Sequence, residues 1–329
     1  MILAGDVGGT KTVIGLFEQA GDRLQAVHEE TFPSRSYATL EAILDRFLGG
    51  GPRAALRSAC FGVAGPVIEG RSKTTNLPWE LDEMALGKAL QVPRVKLLND
   101  LEAAAYGMLH LDQADLCLLQ PGLKRQGNIA VIAAGTGLGQ AILYWDGERH
   151  HPIASEGGHA DFAPQTDPEV DVLNYLRKEY GHVSCERLLS GPGLFNLYRF
   201  LRDSGYATEP DWLRQRIAQG DPGTVISQIG LAREHPLCTR ALDFFCSMYG
   251  AEAGNLALKA FAVGGVYVGG GIAPRILSRL QDGAFIHAFS DKGRLSDLMR
   301  SIEVKVALNP RAPLIGAAHY ALRLQDRRS

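Results

Sequence analysis

The sequence lacks an excess of charge of either sign. Its 34 basic and 36 acidic side chains leave a net charge of −2. Without a basic excess, little electrostatic attraction draws the protein to the phosphate backbone of DNA or RNA. We therefore expect no nucleic-acid partner and favour small-molecule ligands.

Paired cysteines are also absent. The five cysteines are odd in number and scattered, and none of them forms a C-x-x-C pair (positions 60, 117, 185, 238 and 246). This pattern argues against a disulfide framework and against a zinc site. It predicts a reducing compartment.

Long uninterrupted apolar runs are missing as well. The longest helical candidate, residues 241–261, is interrupted by Asp243, Glu252, Asn255 and Lys259, whereas a membrane-spanning helix needs about 20 mainly apolar residues. No charged segment followed by an apolar core opens the sequence, as it would in a secretory signal. We expect a cytoplasmic protein without membrane contact.

What the sequence does contain predicts an α/β protein. Its 329 residues, 46% of them hydrophobic, suffice for about two domains with sizeable cores. In the first predicted helix the apolar residues share one face (Leu40, Ile43, Leu44, Phe47 and Leu48). The predicted strands are 2–4, 13–17, 24–27, 59–66, 95–98, 116–119, 129–133, 140–145, 265–268 and 304–307; the predicted helices are 37–48, 81–90, 101–109, 274–280 and 313–324, with a mainly helical region at 167–261.

A glycine-rich turn separates the first two predicted strands. The pair Gly8-Gly9 permits backbone conformations that side chains forbid, and it lets a phosphate approach backbone N–H groups. Thr10 and Thr12 add hydroxyl donors, and Asp6 is placed to hold a hydrated divalent cation against the phosphate. On this segment alone, an ordinary hairpin turn is an equally good interpretation.

Two familiar nucleotide-binding motifs do not fit the glycine loops. Residues 5–12 nearly match G-x-x-x-x-G-K-[ST], but Thr10 stands where the second glycine is required, and a strand rather than a helix follows. The later loop Gly135-Thr136-Gly137-Leu138-Gly139 lacks the G-x-G-x-x-G spacing and also precedes a strand, which disfavours a dehydrogenase.

A third glycine loop, Gly269-Gly270-Gly271, opens the helix predicted at 274–280, with Pro274 near its first turn. Two strand-turn-strand loops and one strand-glycine-helix loop in the same chain resemble the actin, heat-shock ATPase and sugar kinase superfamily. That resemblance implies two related α/β domains with a nucleotide between them.

Polar side chains follow the predicted strand at 95–98. The strands at 59–66 and 95–98, joined by a helix, form a βαβ crossover and therefore a parallel pair. Asn99 and Asp100 then lie at the carboxyl end of the sheet, where α/β proteins bind ligands. Helix capping explains the same residues, because Asn99 followed three residues later by Glu102 is a capping arrangement.

A second polar stretch surrounds two glycines. Glu156 and His159 flank Gly157-Gly158, so their side chains can converge on one polyhydroxyl ligand, and Glu186 follows in a similar aperiodic segment. Taken singly, His159 is more often a structural histidine than a ligand contact. Glu156, His159 and Glu186 together also suggest a metal site, although the sequence supplies no third firm ligand.

The chain resembles the bacterial ATP-dependent glucokinase family over essentially its whole length. The resemblance rests on the strings GDVGGT at 5–10, LND at 98–100, GTGLG at 135–139, EGGHADFAP at 156–164, ERLLSGPGL at 186–194 and GGIAPR at 270–275. The two longest strings are far more specific than the glycine loops. The cysteine-rich zinc motif of the related repressor and sugar kinase group is missing, which places the chain outside that group.

The resemblance implies roles for individual residues. Asp100 is the catalytic base, and Asp6 holds Mg²⁺ through water. Glucose is held by Asn99, Glu156, His159 and Glu186, and ATP by Gly5, Asp6, Val7, Gly8, Gly9, Thr10, Gly135, Thr136, Gly137, Gly270 and Gly271.

It also implies an architecture and a reaction. Two ribonuclease H-like α/β domains of the actin/hexokinase type, 1–109 with 310–329 and 110–309, would enclose a nucleotide and sugar cleft, and a homodimer is expected. The implied reaction transfers the γ-phosphate of ATP to the 6-hydroxyl of glucose. The alternatives are a kinase for another hexose, such as mannose or N-acetylglucosamine, and a sugar sensor without catalysis.

Overall fold

The protein comprises two compact units, as a computed structural model shows for residues 1–21, 23–49, 56–74 and 76–326. The first unit contains Met1–Gln113, His150–Ala154 and Asn309–Ser329; the second contains Ala114–Arg149 and Ser155–Leu308. The domain boundaries at 109/110 and 309/310 stay a prediction from the sequence.

The strands are β1 Ile2–Val7, β2 Lys11–Ala20, β3 Arg23–Pro33, β4 Ser58–Val63, β5 Arg71–Lys73, β6 Glu80–Asp82, β7 Val95–Asn99, β8 Leu116–Gln120, β9 Ile129–Ala134, β10 Leu138–Trp145, β11 His150–Ser155, β12 Gly265–Gly269 and β13 Val304–Ala307. The helices are α1 Leu40–Gly49, α2 Glu83–Leu90, α3 Asp100–Met108, α4 Asp167–Tyr180, α5 Gly191–Asp203, α6 Asp211–Gln219, α7 Pro222–Ala232, α8 Pro236–Ala260, α9 Leu277–Gln281, α10 Ala284–Ser290, α11 Ser296–Arg300 and α12 Ala312–Asp326.

The sheet of the first unit runs in the order β3-β2-β1-β4-β7. The strands β1, β2 and β3 form antiparallel pairs, whereas β4 pairs in parallel with β1 and with β7. The predicted βαβ crossover is therefore confirmed. Every residue of β4 is buried, as expected for a parallel strand in the middle of a sheet that is covered on both faces.

Helices cover both faces of this sheet. On one face α1 buries Leu40, Ile43, Leu44 and Phe47, which confirms most of the predicted apolar face. On the other face α12 packs against β1, β4, β7 and α3. The residues of α12 in this cluster are Leu314, Ala317, Ala318 and Ala321, and those of the other elements are Ile2, Ala4, Cys60, Leu98 and Ala103. The C-terminal helix therefore belongs to the core of the first unit.

Segment 150–154 joins the first unit through buried polar contacts that the sequence does not indicate. The Arg323 guanidinium donates to the carbonyl oxygen of His150 at 3.1 Å and to Nδ1 of His151 at 2.8 Å. The Glu102 carboxylate accepts a hydrogen bond from the backbone N–H of Ala154. Long-range contacts of this kind leave no periodic signal in the sequence.

Within the second unit, the sheet runs in the order β10-β9-β12-β13-β8. Strands β9 and β10 form an antiparallel hairpin, and β12 pairs in parallel with β9 and β13. The mainly helical region predicted at 167–261 comprises α4 to α8, and α8 contributes sixteen buried residues to the core. No helix of the described residues is long and apolar enough to cross a membrane.

The helix predicted at 274–280 is wrong at its beginning. Residues 270–276 form turns, α9 begins only at Leu277, and Pro274 therefore lies outside the helix. Gly270 has a φ of +81°, and the N–H of Ile272 donates to the carbonyl oxygen of Ala134 at 3.2 Å. This bond holds the chain against the end of β9 and delays the helix.

Glycine allows α3 and α12 to pack backbone against backbone. A Cβ atom at Gly107 would lie 1.9 Å from the carbonyl oxygen of Ala312, and one at Gly316 would lie 1.8 Å from that of Ala103. Neither carbonyl can move without disturbing its own helix. The docking of α12 on the first unit therefore depends on these two glycines.

We predict that Gly107→Ala lowers the free energy of unfolding by about 1–3 kcal/mol or more, because overpacking against a backbone cannot be relieved by a rotamer change. Urea denaturation of the purified variant measures this. Gly49→Ala is the matched control, since a Cβ atom at that helical glycine meets nothing within 4 Å. It should leave stability unchanged or raise it slightly. Equal losses for the two variants would contradict the packing argument.

Candidate active site

The first glycine loop connects β1 to β2 and is fixed by short hydrogen bonds. The N–H of Gly8 donates to the carbonyl oxygen of Lys11 at 3.1 Å, and Ser34 Oγ donates to the carbonyl oxygen of Gly8 at 2.7 Å. Thr12 is fully buried, and its hydroxyl lies 2.9 Å from Ser34 Oγ. The expectation that Thr12 offers a hydroxyl to a phosphate is therefore wrong. Thr10 is exposed.

The glycine pair in this loop serves close packing rather than unusual backbone conformations. Neither Gly8 nor Gly9 has a left-handed φ, so the conformational reason predicted for them is wrong. A Cβ atom at Gly9 would lie 2.6 Å from Cβ of Asn76. Gly5 and Val7 lie within β1, where a Cβ atom at Gly5 would meet the Phe61 ring at 2.6 Å. The strand that follows the loop is β2, as predicted.

Asp6 occupies the penultimate position of β1 and is half-buried. Burial, assisted by the negative charge of Asp100, raises the pKa of its carboxyl from 3.8 to about 6, while Lys11 opposes the shift. Two carboxylates thus influence each other at the carboxyl ends of β1 and β7. Such a pair gains from a bound cation, and oxygen donors that keep water ligands suit Mg²⁺. The residues therefore fit a hydrated magnesium ion.

A complete capping box surrounds Asp100. The N–H of Leu101 donates to Asn99 Oδ1 at 2.9 Å, and Glu102 Oε2 accepts from the N–H of Asn99 at 2.9 Å. Asn99 Nδ2 donates to the carbonyl oxygen of Gly65 at 3.0 Å. The capping interpretation of Asn99 and Glu102 is therefore confirmed. Asp100 itself is exposed at the first helical position, where its Oδ1 accepts from the N–H of Leu101 at 2.8 Å.

The second glycine loop connects β9 to β10 in the second unit. The N–H of Gly135 donates to the carbonyl oxygen of Gly137 at 2.8 Å, and the N–H of Gly191, at the start of α5, donates to the carbonyl oxygen of Gly135 at 2.9 Å. Thr136 at the tip is exposed. A Cβ atom at Gly135 would meet nothing within 4 Å. The protein itself therefore gives no packing reason for this glycine.

The third glycine loop packs on the same end of β9. A Cβ atom at Gly270 would lie 2.3 Å from the carbonyl oxygen of Ala134, so both space and the positive φ require glycine there. Gly271, in contrast, has open space around its Cβ position. Gly135 and Gly271 thus leave open space beside the backbone that no protein atom fills.

The predicted sugar residue Glu156 precedes a short 3-10 turn, Gly157–His159, and the predicted sugar residue His159 is the last residue of this turn. A Cβ atom at Gly158 would lie 1.9 Å from the carbonyl oxygen of Leu138, so glycine lets the turn rest on β10. The side chains of His159 and Glu156 are 62% and 72% exposed, with His159 Nε2 3.9 Å from Glu156 Oε2. The exposed imidazole does not fit a buried structural histidine.

Backbone hydrogen bonds bring Glu186 to the same region. The N–H of Cys185 donates to the carbonyl oxygen of Ala160 at 2.9 Å, which places the segment carrying Glu186 beside the turn Gly157–His159. Glu186 Oε2 accepts from the N–H of Leu138 at 2.9 Å, and it lies 2.4 Å from the Cβ position of Gly137. Glu186 therefore contacts the second glycine loop as well as standing near the sugar residues.

Within the described residues, no three histidine, cysteine or acidic side chains are grouped as metal ligands would be. The metal-site interpretation of Glu156, His159 and Glu186 therefore gains no geometric support. Their arrangement instead offers acceptors and donors to an uncharged polar ligand.

Comparison with known proteins agrees with this geometry. The sequence profile of the glucokinase family matches residues 3–324. The glucokinase of Nostoc punctiforme is 40% identical over 339 residues, covering 98% of this chain and 99% of that protein. The chain belongs to the glucokinase family. This confirms the resemblance stated from the sequence, and with it the assignment as a sugar kinase.

Solved structures of glucokinases share the fold. That of a glucokinase from an Antarctic psychrotroph has a TM-score of 0.87 at 33% identity, with 98% of each chain covered. A glucokinase of the ROK family from Streptomyces griseus, solved with glucose and AMPPNP, has a TM-score of 0.63 at 20% identity and covers 98% of this chain and 99% of its own. The predicted α/β class, with two domains of the actin/hexokinase type, is confirmed.

Several residues that support the candidate site were not predicted from the sequence. Ser34 and Asn76 stand in segments without a motif, so no local signal identifies them. Glu252 and Gln140 are different, since a charge inside a long apolar helix and an amide inside a buried strand are both visible in the sequence. Such residues point to buried hydrogen bonds.

We predict that Asp6→Asn is more stable than the wild type at pH 7, and that this gain shrinks as the pH falls from about 6 towards 4. A carboxyl whose pKa is higher in the folded protein contributes stability that is lost as the pH rises through the folded value. The neutral amide avoids this loss. Urea denaturation of both proteins across this pH range measures the difference, in which titrating groups that do not interact with Asp6 cancel. A variant less stable than the wild type at pH 7 would show that Asp6 makes a structural ion pair.

Proposed function

We propose that the protein transfers the γ-phosphate of ATP to the 6-hydroxyl of glucose, giving glucose 6-phosphate and ADP. The observation that carries this proposal is the Asp6–Asp100 pair, exposed in part at the ends of two parallel strands, in a chain of the glucokinase family. A carboxylate for the acceptor hydroxyl and a second one for the cation are what phosphoryl transfer to an alcohol requires.

Asp100 acts as the general base in this proposal. Its carboxylate accepts the proton of the 6-hydroxyl as the oxygen–phosphorus bond forms and the bond to the leaving ADP breaks. The start of α3 stabilises the negative charge, so the carboxylate is a weak base. That suffices because a loose phosphoryl transition state needs the base only late. A magnesium ion held through water by Asp6 would neutralise charge on the phosphates.

Nucleotide contacts are assigned to all three glycine loops. The open space at Gly135 and Gly271 supports this assignment, because a phosphate or nucleoside that approaches the backbone closely would occupy it. Gly5 and Val7 belong to the strand that carries the first loop. The full proposed set comprises Gly5, Asp6, Val7, Gly8, Gly9, Thr10, Gly135, Thr136, Gly137, Gly270 and Gly271.

Glucose contacts are assigned to Asn99, Glu156, His159 and Glu186. The exposed carboxylate of Glu156 and imidazole of His159 supply an acceptor and a hydrogen-bonding ring. Asn99 already uses its carbonyl oxygen and one amide hydrogen within the first unit. One amide hydrogen therefore remains for a sugar hydroxyl.

Two further points complete the proposal. We place the enzyme in the cytoplasm as a homodimer, by analogy with its family. The other candidate functions differ in their acceptor: a kinase for mannose or N-acetylglucosamine would need the same Asp100, whereas a sugar sensor would not. Among the described residues, no structural feature favours either alternative over glucose phosphorylation.

The proposal is tested by measuring ADP release with glucose, mannose and N-acetylglucosamine for the wild type and for Asp100→Asn. We expect glucose to be the preferred acceptor. The substitution should lower turnover about 10²–10⁴-fold, because the amide cannot accept a proton. Calorimetry should show that the variant still binds glucose and ATP.

Each result has a distinct meaning. Glucose binding without ADP release in the wild type would favour the sensor. Preference for another hexose would replace the acceptor but keep the mechanism. If Asp100→Asn keeps most of the turnover and loses only stability, Asp100 serves the helix start alone and its catalytic role is wrong.

We also predict that Gly135→Ala raises the KM for ATP about tenfold while the KM for glucose and the free energy of unfolding stay unchanged. The added methyl group meets no protein atom, so only a ligand in that space would encounter it. Gly49→Ala, with equally open space but at the end of α1 and outside the three glycine loops, should change neither constant. An unaltered KM for ATP in Gly135→Ala would remove this loop from the nucleotide site.

A further inference from the structure

Helix α8 carries a buried carboxylate that the proposed mechanism does not use. Glu252 is only 6% exposed. Gln140 Nε2 donates to its Oε1 at 2.8 Å, and Asn255 Nδ2 donates to its Oε2 at 3.1 Å. Both carboxylate oxygens are thus bound by side-chain amides in the interior of the second unit.

The segment that contains Glu186 lies beside the same carboxylate. Burial, together with the Glu252 charge, raises the pKa of the Cys185 thiol to about 12. The thiol therefore keeps its proton, which it donates to the carbonyl oxygen of Asp161 at 3.6 Å. The N–H of Cys185 donates to the carbonyl oxygen of Ala160 at 2.9 Å. Because Cys185 directly precedes Glu186, these contacts tie the Glu186 segment to the end of the turn Gly157–His159.

Gln140 connects the same carboxylate to the other side. It is 2% exposed, and its Oε1 lies 2.2 Å from the position that a Cβ atom at Gly157 would take. The amide therefore packs directly beneath the turn Gly157–His159. Since Glu252 fixes the orientation of this amide, the carboxylate supports the segment that presents Glu156 and His159.

The energetic cost of this arrangement argues for a specific role. A buried carboxylate loses several kcal/mol of hydration, and apolar residues of similar volume are often at least as stabilising. Lys292, half-buried, and Lys259 are positive charges that influence this region. What the carboxylate provides, and an apolar side chain would not, is a fixed orientation for the Gln140 and Asn255 amides.

One turn earlier on α8, Tyr249 makes an analogous contact with the nucleotide loops. Its fully buried hydroxyl accepts from the N–H of Ala134 at 3.1 Å and donates to the carbonyl oxygen of Ile132 at 3.2 Å. These atoms belong to the end of β9, which leads into the loop at Gly135. Tyr249 thus offers a comparison on the same helix with a different target.

We propose that Glu252 is a positioning residue that holds the two sugar-binding segments, 156–159 and 185–186, in their correct relative orientation. This inference rests on the proposed function, since it assigns those segments to glucose. Glu252 acts through Gln140, which supports the turn Gly157–His159, and Cys185 is hydrogen-bonded to the residue after this turn, Ala160. Glu252 does not itself touch the substrate.

The test compares the kinetic constants of Glu252→Gln and Gln140→Met with those of Tyr249→Phe. Glutamine keeps the shape of Glu252 but presents one N–H₂ group to a neighbouring donor. We expect both changes to raise the KM for glucose about tenfold with little change in the KM for ATP. Tyr249→Phe should raise the KM for ATP severalfold and leave that for glucose unchanged.

Tyr198→Phe is the control for general loss of a buried hydrogen bond. Tyr198 is fully buried in the same unit, and its hydroxyl donates to Glu209 at 2.7 Å, away from the loops. It should alter neither KM. If Glu252→Gln does not fold, Gln140→Met tests the same contact from the other side.

The outcomes separate the inference from the proposed function. A wild type that phosphorylates no hexose overturns the proposed function. An active wild type, with Glu252→Gln and Gln140→Met variants that keep the normal KM for glucose, overturns only the positioning role. Equal rises in both KM values, as for a globally loosened unit, also overturn it.

Discussion

Close approach between backbones, possible only at glycine, is the constraint on which the candidate site depends. Gly158 lies against the carbonyl oxygen of Leu138, and Gly270 lies against that of Ala134. A side chain at either position would push a loop away from the strand that supports it. Each loop can therefore be short and rigid, and the sheet holds its exposed polar residues in fixed positions.

The sequence predicted where helices and strands lie better than it predicted the roles of individual residues within them. The helix α1 and the parallel pair β4–β7 follow from periodicity and connection length, which are local signals. The roles predicted for Gly9 and Thr12 were wrong because Asn76, which contacts Gly9, and Ser34, which contacts Thr12, are distant from them in sequence. The predicted start of a helix at Pro274 was wrong for the same reason. The turn that contains Pro274 is fixed by the hydrogen bond from the N–H of Ile272 to the carbonyl oxygen of Ala134, and no pattern around Pro274 reveals this bond.

The environment of buried charges is a second feature that the sequence predicts only in part. Asp6 is half-buried and Glu252 is buried, and the burial of a charge is costly unless the charge is paired or hydrogen-bonded. The sequence shows that each charge interrupts an apolar run. It does not show that Asp6, whose pKa is raised by burial and by the negative charge of Asp100, lies near another carboxylate, whereas Glu252 accepts hydrogen bonds from two side-chain amides. That difference separates a residue suited to a cation from one suited to holding neighbouring segments.

The capping and catalytic interpretations of residues 99–102 turn out to be compatible. Asn99 Oδ1 accepts from the N–H of Leu101, and Glu102 Oε2 accepts from the N–H of Asn99. Neither of these bonds uses the carboxylate of Asp100. The capping box instead fixes the backbone on both sides of Asp100, at the end of a helix that favours negative charge. The intervening position holds an exposed acid that acts electrostatically on the half-buried Asp6, and the capping box fixes the backbone that carries this acid.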